Sequence, residues 1–239
     1  MKQFLAVAAC CCGLLVLSLP VQAKDNIENI TVTASRTPIL VDDAGSAVTL
    51  ITKQDIERQG ALSLADLLRD VPGLSVSQQG GIGTFAQVRM RGAEANQVLV
   101  LIDGVEANDV SQGSEFNFTH VLATGIQRIE VVRGPQSALW GADALAGVIN
   151  VITDPGAHAE TSMHGTAETG SHNTARAALD MNWHGESGNL AFGASRFGTA
   201  GTNISRTGNE PDGYRNVTAH VSGHLDVLEN SRLSFTLRG

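Results

Sequence analysis

The chain has 239 residues, 42% hydrophobic and only 4% aromatic, with 16 Lys+Arg against 24 Asp+Glu and a formal net charge of −8. That acidic, aromatic-poor balance argues against nucleic acid as a partner, because phosphate binding draws on clustered Lys and Arg. Cysteine chemistry is also excluded beyond the first apolar stretch: Cys10, Cys11 and Cys12 are the only thiols, and all three lie inside it.

Residues 1–23 read as a secretory signal, with Lys2 as the charged start, Phe4 to Leu19 as the apolar core and Val21-Gln22-Ala23 as the small-residue cleavage site. Gly13 and Pro20 interrupt the apolar run, which is shorter than the roughly 20 residues a spanning helix needs. Removal of this segment takes away one cation and no acid, leaving a still more acidic chain. No run of about 18 apolar residues follows Ala23, so insertion into a membrane requires β-structure.

Residues 24–41 form a polar arm containing Ile30-Thr31-Val32-Thr33-Ala34. Three β-branched side chains and a fourth in succession favour an extended backbone. Such a segment suits a plain edge strand, or addition as a strand to the sheet edge of another protein, where main-chain hydrogen bonds supply the affinity.

Residues 42–155 carry an α+β pattern. Thr52 with Asp55 predicts a capped helix over Lys53–Gln59 that stops at Gly60, and Ser63 with Asp66 a second helix through Arg69 that ends before Pro72-Gly73. Strands are expected at Val48–Ile51, Leu74–Gln78, Val88–Arg91, Val98–Ile102, Ile126–Val132 and Val148–Ile152. Asp103-Gly104 marks a turn, and no His, Ser or second carboxylate accompanies Asp103 at the spacing a catalytic acid needs. The connection Gly134 to Gly147 is glycine-rich but lacks the Gly-Lys-Ser/Thr ending of a phosphate loop, and Trp140 within it reads as a packing residue. No nucleophile, base or metal constellation emerges, so the chain does not read as an enzyme.

From 156 to 239 the texture changes to alternation. Ala177, Leu179, Met181 and Trp183 alternate with polar or small residues; Val217, Ala219, Val221 and Leu225 do so too, as do Leu233, Phe235 and Leu237. A soluble β-sandwich gives the same pattern, but the polar partners and the short turns Ser171-His172-Asn173 and Glu186-Ser187-Gly188 also suit a barrel with lipid outside and water inside. His220 and His224 fall on one strand face, as expected of a polar lumen wall. With strands of about 9–11 residues the segment supplies four or five, fewer than the roughly eight of the smallest bacterial barrels.

The stretch Gln127 to Ile152, QRIEVVRGPQSALWGADALAGVINVI, together with Met90-Arg91-Gly92, Val132-Arg133-Gly134, Leu99 to Val105 and the early ENITVTASR, resembles the TonB-dependent outer-membrane receptors, nearest to their vitamin B12 (cobalamin) branch. The resemblance implies an α+β plug domain, a mixed sheet with short helices. It is followed by the start of a transmembrane antiparallel β-barrel of about 22 strands in the family, truncated here as a fragment or a short product. It makes Ile30, Thr31, Val32, Thr33 and Ala34 a TonB box, whose partner is the TonB energy-coupling protein in the periplasm. Arg91 and Arg133 become plug–barrel contacts that pair with barrel carboxylates, most of them beyond Gly239. Gln79, Gly80, Gly81, Gly83 and Thr84, with Asn108, Ser111 and Gln112, become ligand-binding residues of the apical loops.

The implied ligand is a cobalamin-type corrinoid, with a ferric-siderophore iron chelate as the alternative. The implied location is the outer membrane, in contact with its lipid. A further alternative is a periplasmic plug protein that engages the coupling protein without transport. Cobalamin receptors hold calcium with aspartates in early barrel loops. The corresponding segment here, Asn209 to Tyr214, offers only Glu210 and Asp212, a weak calcium set, and no other cofactor is expected.

Overall fold

The computed structural model describes residues 31–32, 39–40, 45–153, 161–205, 207–228 and 231–239. The expected signal segment lies outside them, as do Ile30, Thr33 and Ala34 of the expected box. Thr31–Val32 (β1) is described, and it pairs antiparallel with Ile39–Leu40 (β2), Thr31 opposite Leu40.

Ala47–Thr52 (β3) runs directly into helix α1, Lys53–Gln59. A reciprocal cap makes the junction: the Thr52 hydroxyl accepts from the Asp55 amide at 3.2 Å, and the Asp55 carboxylate accepts from the Thr52 amide at 2.9 Å. Gly60, with φ of 60°, ends the helix. Ser63 caps α2, Leu64–Leu68, by accepting from the Asp66 amide at 3.2 Å. Leu74–Gln78 (β4) and Ala86–Met90 (β5) form an antiparallel hairpin. Then come Val98–Ile102 (β6), Val105–Glu106 (β7), Arg128–Arg133 (β8), the short helix α3 at Ser137–Trp140, and Gly147–Ile152 (β9).

The main plug sheet has the order β3-β8-β9-β6-β7, with β6 and β9 parallel and every other pair antiparallel. Burial on both faces explains why β6 is the uninterrupted apolar run Val-Leu-Val-Leu-Ile. Val98 and Val100 join the main core beneath α1, α2 and the β4–β5 hairpin, whereas Leu99 and Leu101 join a smaller core on the other face with Val132, Ala144 and Val148. Trp140 packs at the edge of that smaller core. Leu64, Leu67 and Leu68 are fully buried, each contributing about 1.5–3 kcal/mol of apolar burial.

Five strands follow: Ser162–Gly170 (β10), Thr174–Gly185 (β11), Gly188–Thr199 (β12), Tyr214–Leu228 (β13) and Ser231–Arg238 (β14), each antiparallel to the next in chain order. Both expected turns, at 171–173 and 186–187, connect them. Val217 is 72% exposed and Trp183 54%, while Ser222 is 1% and His224 4% exposed. This wall turns its polar face onto the plug and its apolar face outward.

Some details differ from the sequence expectation. β5 stops at Met90 because Arg91 adopts a left-handed backbone with φ of 52°. β8 begins at Arg128 rather than Ile126. β7 and α3 had no sequence signal: one is two residues long, and the residue before the other, Gln136, makes no side-chain cap.

Candidate functional site: plug apex and plug–wall seam

The loop 79–84 is organised by one carbonyl. Gly81 O accepts from the Gln78 amide at 2.8 Å, the Thr84 hydroxyl at 2.7 Å and the Thr84 backbone N–H at 3.2 Å. The glycines on either side allow close approach to the wall. A Cβ on Gly83 would fall 2.1 Å from the Tyr214 ring, and Gly83 has φ of 89°. A cleft of about 270 Å³ lies there, lined by Gly81, Gly83, Thr84, His172, Asp212 and Tyr214 among others.

The second apical loop is held differently. Asn108 Oδ1 accepts from Val100 N at 2.8 Å, and its Nδ2 donates to Val98 O at 3.1 Å and Ser114 O at 2.8 Å, so the carboxamide ties the loop to β6. Asp109, unremarked in the sequence, gathers its neighbours: Oδ1 accepts from the Ser111 amide at 2.8 Å and hydroxyl at 2.7 Å, and Oδ2 from Gln112 Nε2 at 3.1 Å. The Ser111 contacts, outweighing slight desolvation, hold the Asp109 carboxyl below the ordinary carboxylate range. The cleft therefore draws on the first apical loop, and Asn108, Ser111 and Gln112 stand apart from it.

Of the two weak calcium candidates, Asp212 accepts from the Ile204 amide at 2.9 Å, and Glu210 is exposed. Among the described residues no group of three or more His, Cys, Asp or Glu is placed to hold a metal ion.

Arg91 and Arg133, far apart in sequence, come together around Gly73, whose Cβ position lies 3.7 Å from Arg133 Cδ and 3.8 Å from Arg91 Cγ. Arg133 donates to Pro72 O at 2.6 Å and to the Thr49 hydroxyl at 2.7 Å, both within the plug. Among the described residues neither arginine reaches a carboxylate.

The contacts that cross from plug to described wall come from other residues. Asp103, at a left-handed turn with φ of 50°, accepts from Thr153 N at 2.7 Å, Thr153 Oγ1 at 2.6 Å and the wall residue Thr236 at 3.0 Å. Arg176 donates to Thr124 at 3.0 Å. His120 Nδ1 lies 3.1 Å from the Tyr214 hydroxyl with the two rings stacked. His220 fills a slot between a plug glycine and a wall glycine: a Cβ on Gly125 or on Gly193 would come within 2.0 Å of its Cε1. Nearby, the fully buried Glu130 accepts from Arg128 at 3.1 Å and lies 3.4 Å from Asn150 Nδ2. A space of about 440 Å³, lined by Asp103, Arg128, Asn150, Ser222, Ser234 and Thr236 together with the apolar Val105, Ile152 and Phe235, completes the seam.

Period-2 alternation placed His220 on the inner wall face, as expected, and could have placed Thr236 there too. Nothing in the sequence named their plug partners.

The TonB-dependent receptor plug domain family profile matches residues 41–148. The vitamin B12 transporter BtuB of Vibrio vulnificus is 43% identical over 162 residues, which make up 68% of this chain but 26% of the transporter, so the chain spans a minor part of that relative's length. Among solved structures, the siderophore receptor PiuA of Acinetobacter baumannii superposes with a TM-score of 0.66 at 24% identity, covering 87% of this chain and 28% of that one. The ferric yersiniabactin uptake receptor FyuA of Yersinia pestis gives a TM-score of 0.59 at 20% identity, covering 82% and 31%. Identities this low establish a shared fold. The profile match over the plug and the relative at 43% identity show that the chain belongs to the TonB-dependent receptors.

Proposed function

We propose that this chain is the plug and leading barrel wall of an outer-membrane receptor for a cobalamin-type corrinoid, exported by the signal at 1–23 and driven by TonB pulling on residues 30–34. The observation that carries the ligand assignment is the 43% identity to a vitamin B12 transporter. The glycine-lined cleft at the first apical loop supports it, because small residues let backbone approach a bulky ligand.

The seam suits such a task. Its bonds are single hydroxyl, imidazole, guanidinium and carboxylate contacts beside an open space, each worth about 0.5–3 kcal/mol, and water can replace them one at a time. A pull transmitted from the arm would therefore meet many small barriers rather than one large one. Contacts of Arg91 and Arg133 with further barrel carboxylates belong to the same reading.

Equilibrium binding of cyanocobalamin and of ferric chelates to the whole receptor tests the assignment. Saturable corrinoid binding that ferric chelates do not displace supports it. Binding of ferric chelates alone would move the protein to the siderophore branch.

A further inference from the structure

The outward face of β10–β14 is apolar, with one local exception. Among the described residues its only charged side chains are Arg196 and Arg215, both exposed. Arg196 lies opposite Val217, and Arg215 opposite Gly198, so the two are diagonal neighbours on one face, about 7–8 Å apart at the backbone. Among the described residues neither has an acidic partner.

They occupy the end of the wall bearing the long connection between Thr199 and Tyr214, opposite the tight turn at 186–187. In outer-membrane barrels long connections face outside and short turns face the periplasm, which puts both arginines at the outer-leaflet rim. A hollow of about 510 Å³ adjoins them, its lining including the small residues Ala167, Ala175, Ala177 and Gly198 as well as Arg176 and its ion-pair partner Glu168. Toward the membrane interior the same face continues as Leu179, Met181, Phe192 and Val221.

We propose that this patch binds a phosphorylated lipid of the outer leaflet. The two guanidinium groups supply planar forks of donors to phosphate oxygens, doubling the charge and the donors that a single rim arginine offers. The hollow takes the headgroup's bulk, and the acyl chains lie along the apolar rows below. The site rests on the proposed membrane-inserted reading of the wall and is separate from the apical cleft.

Native mass spectrometry of the whole receptor, reconstituted with lipid A or with its dephosphorylated form, tests the site. Retention of lipid A is expected to fall roughly tenfold in the Arg196→Gln/Arg215→Gln double variant and to be restored only in part by the double Lys variant, whose point charges lack the forks. The dephosphorylated form is expected to bind wild type and double Gln variant alike. Equal retention of lipid A by wild type and the double Gln variant overturns the proposal. So does full displacement by inorganic phosphate, which would mark an anion site without a lipid. Outer-membrane insertion, read from heat-modifiable migration, separates the two levels: a receptor that inserts yet ignores lipid phosphorylation overturns this site alone, whereas one that never inserts overturns the membrane reading as well.

Discussion

Plug and wall bury opposite kinds of side chain. In the plug, Leu67 is fully buried and charged residues lie mostly at the surface; in the wall, Leu237 is 70% exposed while Ser222 and His224 are almost wholly hidden. The contrast teaches that burial alone does not identify a hydrophobic core. What matters is which neighbour each face is built to meet, and here the wall's covered face carries the polar side chains that meet the plug.

The widest separation between the two regions is expected on truncation of a leucine. Leu67→Ala should cost the plug about 2–5 kcal/mol in denaturant unfolding, whereas Leu237→Ala should cost the protein's internal packing below about 1 kcal/mol. Equal costs would abolish the distinction. Next in size is the slot at the seam: Gly125→Val drives a branched side chain into His220 from a left-handed backbone, costing about 3 kcal/mol. Adding His220→Ala should recover part of that loss in a double-mutant cycle, because the clash and not only the backbone strain is relieved.

A smaller effect isolates the contact between the regions. Thr236→Val removes one donor to Asp103 and should weaken plug seating by about 1 kcal/mol, seen as faster protease cleavage between plug and wall with the plug's own unfolding unchanged. Of similar size is the cap inside the plug. Thr52→Ala should cost about 1 kcal/mol. Hydrogen bonds from Thr52, then the charge of Arg58, lower the Asp55 pKa against a slight opposing desolvation. Its contribution is therefore complete above the unfolded carboxylate value of about 3.9 and is lost as pH falls through the lower folded value. In Asp55→Asn this acid-limb dependence should disappear, as read from plug stability across the acid range.

Much of the plug was legible because its signals are local. Thr52, Asp55 and Gly60 bracket α1 within nine residues of chain, and β6 announces two-sided burial by its unbroken apolar run. Strands β11, β13 and β14 of the wall were legible from period-2 alternation for the same reason, whereas β10 and β12 were not singled out. The seam was not. Asp103 reads as a turn residue, which its backbone bears out, but its bond to Thr236 joins positions 133 residues apart. Asn108 shows a different limit: the tie of its carboxamide to the backbone of β6 has no signal in the sequence.

The slot around His220 also bears on how far these two regions can be exchanged between relatives. Its fit depends on hydrogen atoms where side chains would otherwise stand, at Gly125 on one partner and Gly193 on the other. A chimaera that grafts a foreign plug onto this wall would thus succeed or fail at a position with no functional group to compare, and compatibility would have to be engineered as a matched trio.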